Sequence, residues 1–439
     1  MQLVSFKKTF LFGTTAAVAF FTASCDTVSE PISRLESANA LSEASSNTYD
    51  APGAVASIIP KVKLSEKNPQ AFGIGAVLPL QGKNASLGQS LRHGLELAVA
   101  EVNATGGVHG QLIQLDVLDS QDESSTGAWA LNTLRSRGES IILVGDNSVA
   151  IAQATQLADF PQLIGFLTDY VAVPRQTPKN GVRIYLNGDQ EGRAIQGYLA
   201  AAGVDHVSII HTNDLLGESH KQYLLYLISD NHAVTTSDEG YGQSEQSFDL
   251  LARTMRRADN GGLILAGSGA EYPRILEAFD SASWKGLVLG YAGQTGLNAV
   301  SGQGSLAATA AYPLPDFAAN PRATDAGRAF ADSYHKQYGE DPGLPAAYAY
   351  DTIHVLASAA SQSASGEPLQ IRAAFIALRG YVGAVGHYDI KSDGDTEMPL
   401  RLFRSNGQPA PVINNPAPTL ASPNLSDLKS IPLTPSNQP

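Results

Sequence analysis

AFGIGAVLPLQGKNASLGQSLRHGLELAVAEVNATGGVHGQ, residues 71–111, is the stretch from which the rest of the chain can be read. Its opening, Ala71 to Leu80, is a short apolar run of the kind a strand needs when both of its faces are covered. Ser86 is placed to cap a helix in which Leu87, Leu91, Leu95, Val99 and Val102 fall on one apolar stripe. Gly106-Gly107 supplies the left-handed backbone that ends such a helix. Strand, helix and glycine stop form a unit whose repetition builds a parallel sheet, because parallel neighbours need a crossover between them.

The unit repeats on the C-terminal side. Leu112 to Leu118 (LIQLDVL) reads as a strand, Ser124 to Arg137 as a helix and Ile141 to Val144 as a strand. A helix from about Ser148 to Asp159 and strands at Leu163 to Leu167 and Arg183 to Leu186 complete a first run. The alternation then restarts, with strands at Val207 to His211, Ala233 to Thr236, Gly262 to Ala266 and Leu287 to Gly290. The helices between them are Ser219 to Ser229, Phe248 to Ala258 and Tyr272 to Ser281. Two such runs predict an α/β fold with two doubly wound parallel sheets. Beyond Ala307 to Pro313 come helices near Ala323 to Tyr338, Ala346 to Ser361 and Gln370 to Leu378, then strand-like pieces at Val385 to Ile390 and Pro399 to Arg404.

The ends have a different character. Lys7 and Lys8 precede an uncharged, largely apolar run from Thr9 to Thr22, and small Ala23 and Ser24 lead to Cys25. This is the layout of a secretory signal, and the run is too short for a stable membrane span. Cys25 is the only cysteine in the chain, so no internal disulfide can form and the thiol needs another role. Thr22-Ala23-Ser24-Cys25 resembles a bacterial lipobox, with Thr22 where that motif usually has Leu; acylation of Cys25 is the reading that gives the thiol a role, and ordinary cleavage nearby is the alternative. Residues 26–70, rich in Ser, Ala, Asn and Glu, are expected to be a flexible tether. Residues 409–439 hold eight prolines and can sustain neither helix nor interior strand.

Charge and composition exclude whole classes of function. Removing the two leader lysines takes the formal net charge from -13 to -15, and no basic stripe is visible, so nucleic acid is not an expected partner. The nine histidines show no metal-ligand spacing, and one cysteine excludes thiolate zinc sites. Gly267-Ser268-Gly269 is not a nucleophile elbow, and the Gly-rich 293–304 lacks the Lys-Ser/Thr ending of a phosphate loop. Asp389 to Asp395 (DIKSDGD) lacks the closing Glu of a calcium loop and reads as a solvated turn. The expectation is a non-enzyme that uses no metal and no cofactor.

The opening segment, with GIGAVLPLQG and LGQSLRHGLELAVAEVNATGGVHGQ, resembles the start of type 1 periplasmic binding proteins, above all the branched-chain amino-acid receptors. LDVLDSQDESSTGAWALNTL, IILVGDNSVAIAQA, HTNDLLGES at His211 to Ser219 and AAYAYDTIHVLASA at Ala346 to Ala359 continue it, so that it covers roughly Ala71 to Gly407. The resemblance implies two Rossmann-like lobes joined by three chain crossings, near Leu186 to Asp189, Ala311 to Pro315 and Val385 to Tyr388. The lobes would be 71–187 with 314–385, and 188–313 with 386–408. A small molecule would bind in the cleft between them, closed by a hinge motion.

Ligands of open α/β sheets sit at the carboxyl ends of strands, facing helix N-termini. Three loops of the first lobe qualify: Leu80-Gln81-Gly82, Asp146-Asn147-Ser148 and Thr168-Asp169-Tyr170. The amino-acid receptors hold the ligand carboxylate with a Ser at the second loop and a Thr at the third, so the resemblance assigns Ser148 and, approximately, Thr168. Asp169 opposes a carboxylate there; it either caps a turn or meets a cationic or hydroxyl-rich ligand. Asp146 is placed as a helix cap. In the second lobe Leu216 stands where the receptors have an aromatic, and Ser268 where they have a Tyr. Tyr291-Ala292-Gly293-Gln294 stands where they have the acid that pairs with a ligand ammonium, and Gln294 cannot offset that charge. The candidate ligand residues are therefore Gln81, Asn147, Ser148, Thr168, Asp169, Leu216, Ser268, Tyr291 and Gln294. Two functions fit: an extracytoplasmic receptor for an ABC permease whose ligand is not a plain amino acid, or a lipid-anchored envelope protein resembling the activators of peptidoglycan synthases.

Overall fold

The computed structural model describes residues 48–49, 62–63, 66–169, 178–229, 235–242, 245, 247–255, 261–293, 296–297 and 300–413. The leader with Cys25, the proline-rich tail beyond 413, Tyr170 and Gln294 lie outside the described residues. Within the segment expected to be a tether, β1 (Thr48–Tyr49) pairs antiparallel with β2 (Val62–Lys63). Its last residues are held to the folded part. Lys67 Nζ donates to the Gly138 carbonyl at 2.8 Å, and the Asn68 N–H to Gln114 Oε1 at 2.9 Å.

β3 (Phe72–Leu78) is buried along its whole length, as its unbroken apolar run demands. It is flanked by β4 (Ile113–Asp119) and β5 (Ile141–Val144), and β6 (Leu163–Phe166) and β7 (Gly181–Arg183) extend an all-parallel sheet in the order β4-β3-β5-β6-β7. The first helix, α1 (Ala85–Ala104), buries Leu91, Leu95 and Val102 of the expected stripe; Asn84, not Ser86, holds its N-cap position, and its side chain makes no capping hydrogen bond. Gly106 and Gly107 follow it with φ of 103° and 73°, the left-handed turn that only glycine adopts without strain. α2 (Ser124–Ser136) follows β4. The single helix expected from Ser148 to Asp159 is two, α3 (Asn147–Ala152) and α4 (Ala154–Leu157), because Gln153 leaves the helical region at φ -105°, ψ 9°.

α5 (Gly188–Ala202) carries the chain to a second sheet. Here β8 (His206–Thr212), β9 (Thr235–Tyr241), β10 (Gly262–Ala266), β11 (Leu287–Gly290) and β12 (Ala311–Leu314) run parallel, with α6 (Leu215–Ser229), α7 (Asp249–Met255), α8 (Tyr272–Ser281) and α9 (Ser305–Thr309) between them. The chain then returns to the first sheet through α10 (Asp325–Tyr338), α11 (Leu344–Gln362) and α12 (Pro368–Ala377). α11 packs along α1 so closely that a Cβ at Gly94 would lie 2.1 Å from the Ala346 carbonyl oxygen. A small antiparallel sheet of β13 (Tyr381–Val382), β14 (His387–Ile390) and β15 (Thr396–Glu397) comes next. After β15 the chain runs into β16 (Arg401–Arg404), the antiparallel edge strand against β12.

One expectation fails here. Asp395 is not in a solvated turn but is buried. Arg183 Nε donates to Asp395 Oδ1 at 2.8 Å and Nη2 to Oδ2 at 2.5 Å, while Asn187 Nδ2 donates to Oδ2 at 2.7 Å. A planar guanidinium matches both oxygens at once, which is the strong form of an ion pair. Burial alone would lower the Arg183 pKa; the Asp395 charge reverses this, so the guanidinium stays charged. This clamp ties β7 and the start of α5 to the turn just before β15.

Candidate functional site

Four helices begin where strands of the two sheets end: α2 after β4, α3 after β5, α6 after β8 and α8 after β10. Their N-termini surround a cavity of about 700 Å³. One wall comes from the first sheet, with Lys83, Asn84, Asp122, Asp146, Asn147 and Ser148; the other comes from the second, with Thr212, Asp214, Leu215, Leu216, Ser268 and Glu271. Asn147, Ser148, Leu216 and Ser268 are thus brought together from both sheets. Gln81 is exposed, donates to Asp119 Oδ2 at 2.7 Å and does not line the cavity.

The hydroxyls expected to hold a carboxylate are committed inside the protein. Asp146, buried at the N-cap of α3, accepts from the Ser148 N–H at 2.9 Å and from the Ser148 hydroxyl at 2.7 Å. The Ser120 hydroxyl donates to its other oxygen at 2.5 Å. Asp146 is therefore the cap its position predicted. Thr168 is buried and donates its hydroxyl to Asn147 Oδ1 at 3.1 Å. A hydroxyl has one proton, so with these bonds in place Ser148 offers only lone pairs to the cavity, and Thr168 lies behind Asn147 without lining it.

Asp214 and Glu271 add acceptors to the wall, and Lys83 adds a cationic donor. Asp214 caps α6, taking the Thr212 hydroxyl and the Gly217 N–H at 2.9 Å each. Glu271 Oε2 is buried and has no hydrogen-bond partner among the described residues. The Tyr241 hydroxyl, also buried and unpartnered, is pushed out of titrating range by burial and by the nearby Glu271 and Asp214 carboxylates. Sequence reasoning missed Asp214 and Glu271, although each stands directly before or within the first turn of a helix that follows a strand end.

Asp169 and Tyr291 lie deeper, each under 5% exposed. Asp169 Oδ1 accepts from the Gly188 N–H at 3.0 Å, at the first residue of α5, whose N-cap is Asn187; the turn after Asp169 lies outside the described residues. Its other oxygen lies 2.5 Å from His220 Nε2, and Arg183 Nη1 is 3.8 Å away. Burial would push the Asp169 carboxyl up; His220, Arg183 and the Gly188 N–H together hold it below the usual carboxylate value. Tyr291 stacks on the His220 ring with centroids 4.0 Å apart. Glu191, also buried, accepts the Ala292 and Gly293 N–H groups at 2.9 Å each. Burial, helped by the Asp169 charge, raises its pKa well above the ordinary value. No group of acidic, histidine or cysteine side chains among the described residues could hold a metal ion, and no helix there is long and apolar enough to cross a membrane.

Parallel strands, helix N-termini from two sheets and a cavity between them define a solute-binding fold of the type 1 class. The chain belongs to the periplasmic binding protein family, whose model matches residues 72–409. Among its relatives is the Leu/Ile/Val-binding protein homolog 1 of Brucella suis, 23% identical over 348 residues, which span 74% of this chain and 88% of that protein. An amino acid binding protein of Pseudomonas aeruginosa is 25% identical over 306 residues, spanning 67% and 79%. In structure the chain is similar to the leucine binding protein LivK of Thermotoga maritima, with a TM-score of 0.67 at 17% identity, covering 77% of this chain and 97% of that one. A solute binding protein from R. palustris in complex with benzoate gives 0.64 at 16%, covering 80% and 100%. The relatives are binding proteins rather than enzymes, and the family places the chain outside the cytoplasm.

Proposed function

We propose that this protein is an extracytoplasmic solute receptor for an ABC importer, and that its ligand is a donor-rich small molecule rather than a plain amino acid. The carrying observation is the direction of the hydrogen bonds on the cavity wall. With the Ser148 proton given to Asp146, and Glu271 Oε2 unpartnered among the described residues, the wall around the starts of α3, α6 and α8 presents acceptors where an amino-acid receptor presents donors to a carboxylate, and Lys83 is the cation that lines the cavity with them. Hydroxyl or ammonium groups of the ligand satisfy them, while Leu215, Leu216 and Ile151 cover its apolar part. In this reading Ser148, Asn147, Leu216, Ser268 and Glu271 touch the ligand, and Thr168 and Asn147 position the loops. The lobes 71–187 with 314–385, and 188–313 with 386–408, close over it, and an acylated Cys25 anchors the receptor to the membrane beside its permease.

A thermal-shift screen of the mature protein against amino acids, amides, amines, sugars and muropeptides tests this reading. A sugar, amide or amine that binds with micromolar affinity, and loses most of it in Glu271→Gln, supports it. Leucine or benzoate binding in preference to these would overturn the ligand assignment. Capture of a peptidoglycan synthase by protein that binds no solute would replace the receptor reading with the activator one. Intact-mass measurement of membrane-extracted protein, with and without Cys25→Ala, checks the anchor.

A further inference from the structure

Beneath the cavity the space between the sheets is filled by the protein itself. His220 lies one helical turn beyond the cavity-lining Leu216 on α6, and Asp169 follows the end of β6. An ionised carboxylate only accepts, so His220 Nε2 carries the proton in the 2.5 Å hydrogen bond to Asp169 Oδ2. Both side chains are 6% exposed. The Tyr291 ring covers one face of the imidazole at an interplanar angle of 6°. α5 backs the group with two glycines one turn apart. A Cβ at Gly188 would lie 2.5 Å from both Asp169 Oδ2 and His220 Nε2, and one at Gly192 would lie 2.9 Å from the Tyr291 hydroxyl. The other charged groups acting on Asp169 are Arg183 and Glu191.

We infer that His220 is a specificity-determining residue: it takes the place of a ligand's donor group against Asp169, closes the inner end of the cleft and links the two sheets when no ligand is bound. The inference rests on reading the cavity above it as the solute site. A ligand shifts a closing equilibrium only by the contacts it makes in the closed state and not in the open one. With Asp169 already met by His220, a solute's amine gains nothing there unless it displaces a stacked, buried imidazole. Recognition is confined to the outer cavity, and small free amines and amino acids are refused at the inner end.

Removal and chemical replacement of the imidazole test this in the mature chain, read by thermal shift and by the small-angle scattering radius. Wild type is expected to keep one radius with and without millimolar imidazole, with no shift in its melting temperature. His220→Ala is expected to melt several degrees lower and to expand, and imidazole to restore both. The double variant His220→Ala/Asp169→Asn, which lacks the anion, is expected not to respond. If His220→Ala does not fold alone, soluble yield on refolding with and without imidazole is the readout. Equal responses of wild type and variant, or no recovery in the variant, overturn the inference. Failed rescue beside a ligand found by screening sinks the inference alone. Successful rescue in a protein that binds no solute sinks the receptor reading and leaves the pair a structural contact.

Discussion

The outer and inner halves of the cleft are made from the same parts, strand ends and the helix starts beside them, yet they treat charge in opposite ways. In the inner half every carboxylate is met by the protein: Asp169 by His220 and the Gly188 N–H, Asp395 by Arg183 and Asn187, Glu191 by the N–H groups of Ala292 and Gly293. In the outer half Glu271 Oε2 has no partner among the described residues, and the Ser148 hydroxyl, its proton given to Asp146, has only lone pairs to offer. A buried acceptor without a partner costs free energy, and a site tolerates that cost where a ligand will supply the missing donor. On the proposed function, the inner half serves stability and the outer half binding.

The sharpest way to break this division is Arg183→Ala. It leaves Asp395 buried without its main cation and removes a charge near Asp169, so unfolding free energy should fall by about 3–5 kcal/mol in urea titrations. A loss under 1 kcal/mol would mean that the inner charges are not compensated as described. Asp146→Ala sits on the border between the halves. Loss of its cap should lower stability by about 1–2 kcal/mol and, because Ser148 is released, should also change ligand affinity. Ser148→Ala in the outer half should leave stability within about 0.5 kcal/mol and weaken a solute found by screening roughly tenfold, measured by calorimetry. If it destabilises as much as Asp146→Ala, Ser148 belongs to the cap and not to the site.

The smallest effect is a pH dependence at Glu191. Its folded pKa is raised above the ordinary 4.5, so the stability it contributes is full below that value and is lost as pH rises through the folded value. Gln in its place keeps one oxygen for the Ala292 and Gly293 N–H groups and stays neutral. Glu191→Gln should match wild type in acid and become the more stable of the two as pH rises. Asp169 has the opposite sign: its pKa is lowered from 3.8, so its contribution is present above that value and fades as pH falls through the folded one. Chemical denaturation across the pH range separates the two.

Much of the fold was legible because it rests on local pattern. The buried run Phe72–Leu78, the α1 stripe and the Gly106-Gly107 stop each decide an element from adjacent residues. Asp146 could be assigned as a cap for the same reason. What could not be read depends on partners far apart in sequence. The role of Asp395 is invisible until Arg183 is placed beside it, and Asp169 could not be given its partner until α6 brought His220 to it. Ser148 and, approximately, Thr168 were assigned by resemblance; only Ser148 lines the cavity, and the direction of their hydroxyl protons is set by Asp146 and Asn147, which no spacing rule reveals.

The packing of α1 against α11 also governs the order of assembly. The strands of the first sheet end at Arg183, but α11, which covers α1, is made of Leu344–Gln362, and the Arg183 clamp waits for Asp395. A chain emerging N-terminus first cannot bury that helix face or neutralise that guanidinium until nearly all of it has been delivered. Such long-range closure slows folding. For a protein that works outside the cytoplasm, the fold can close only once its last helices are present.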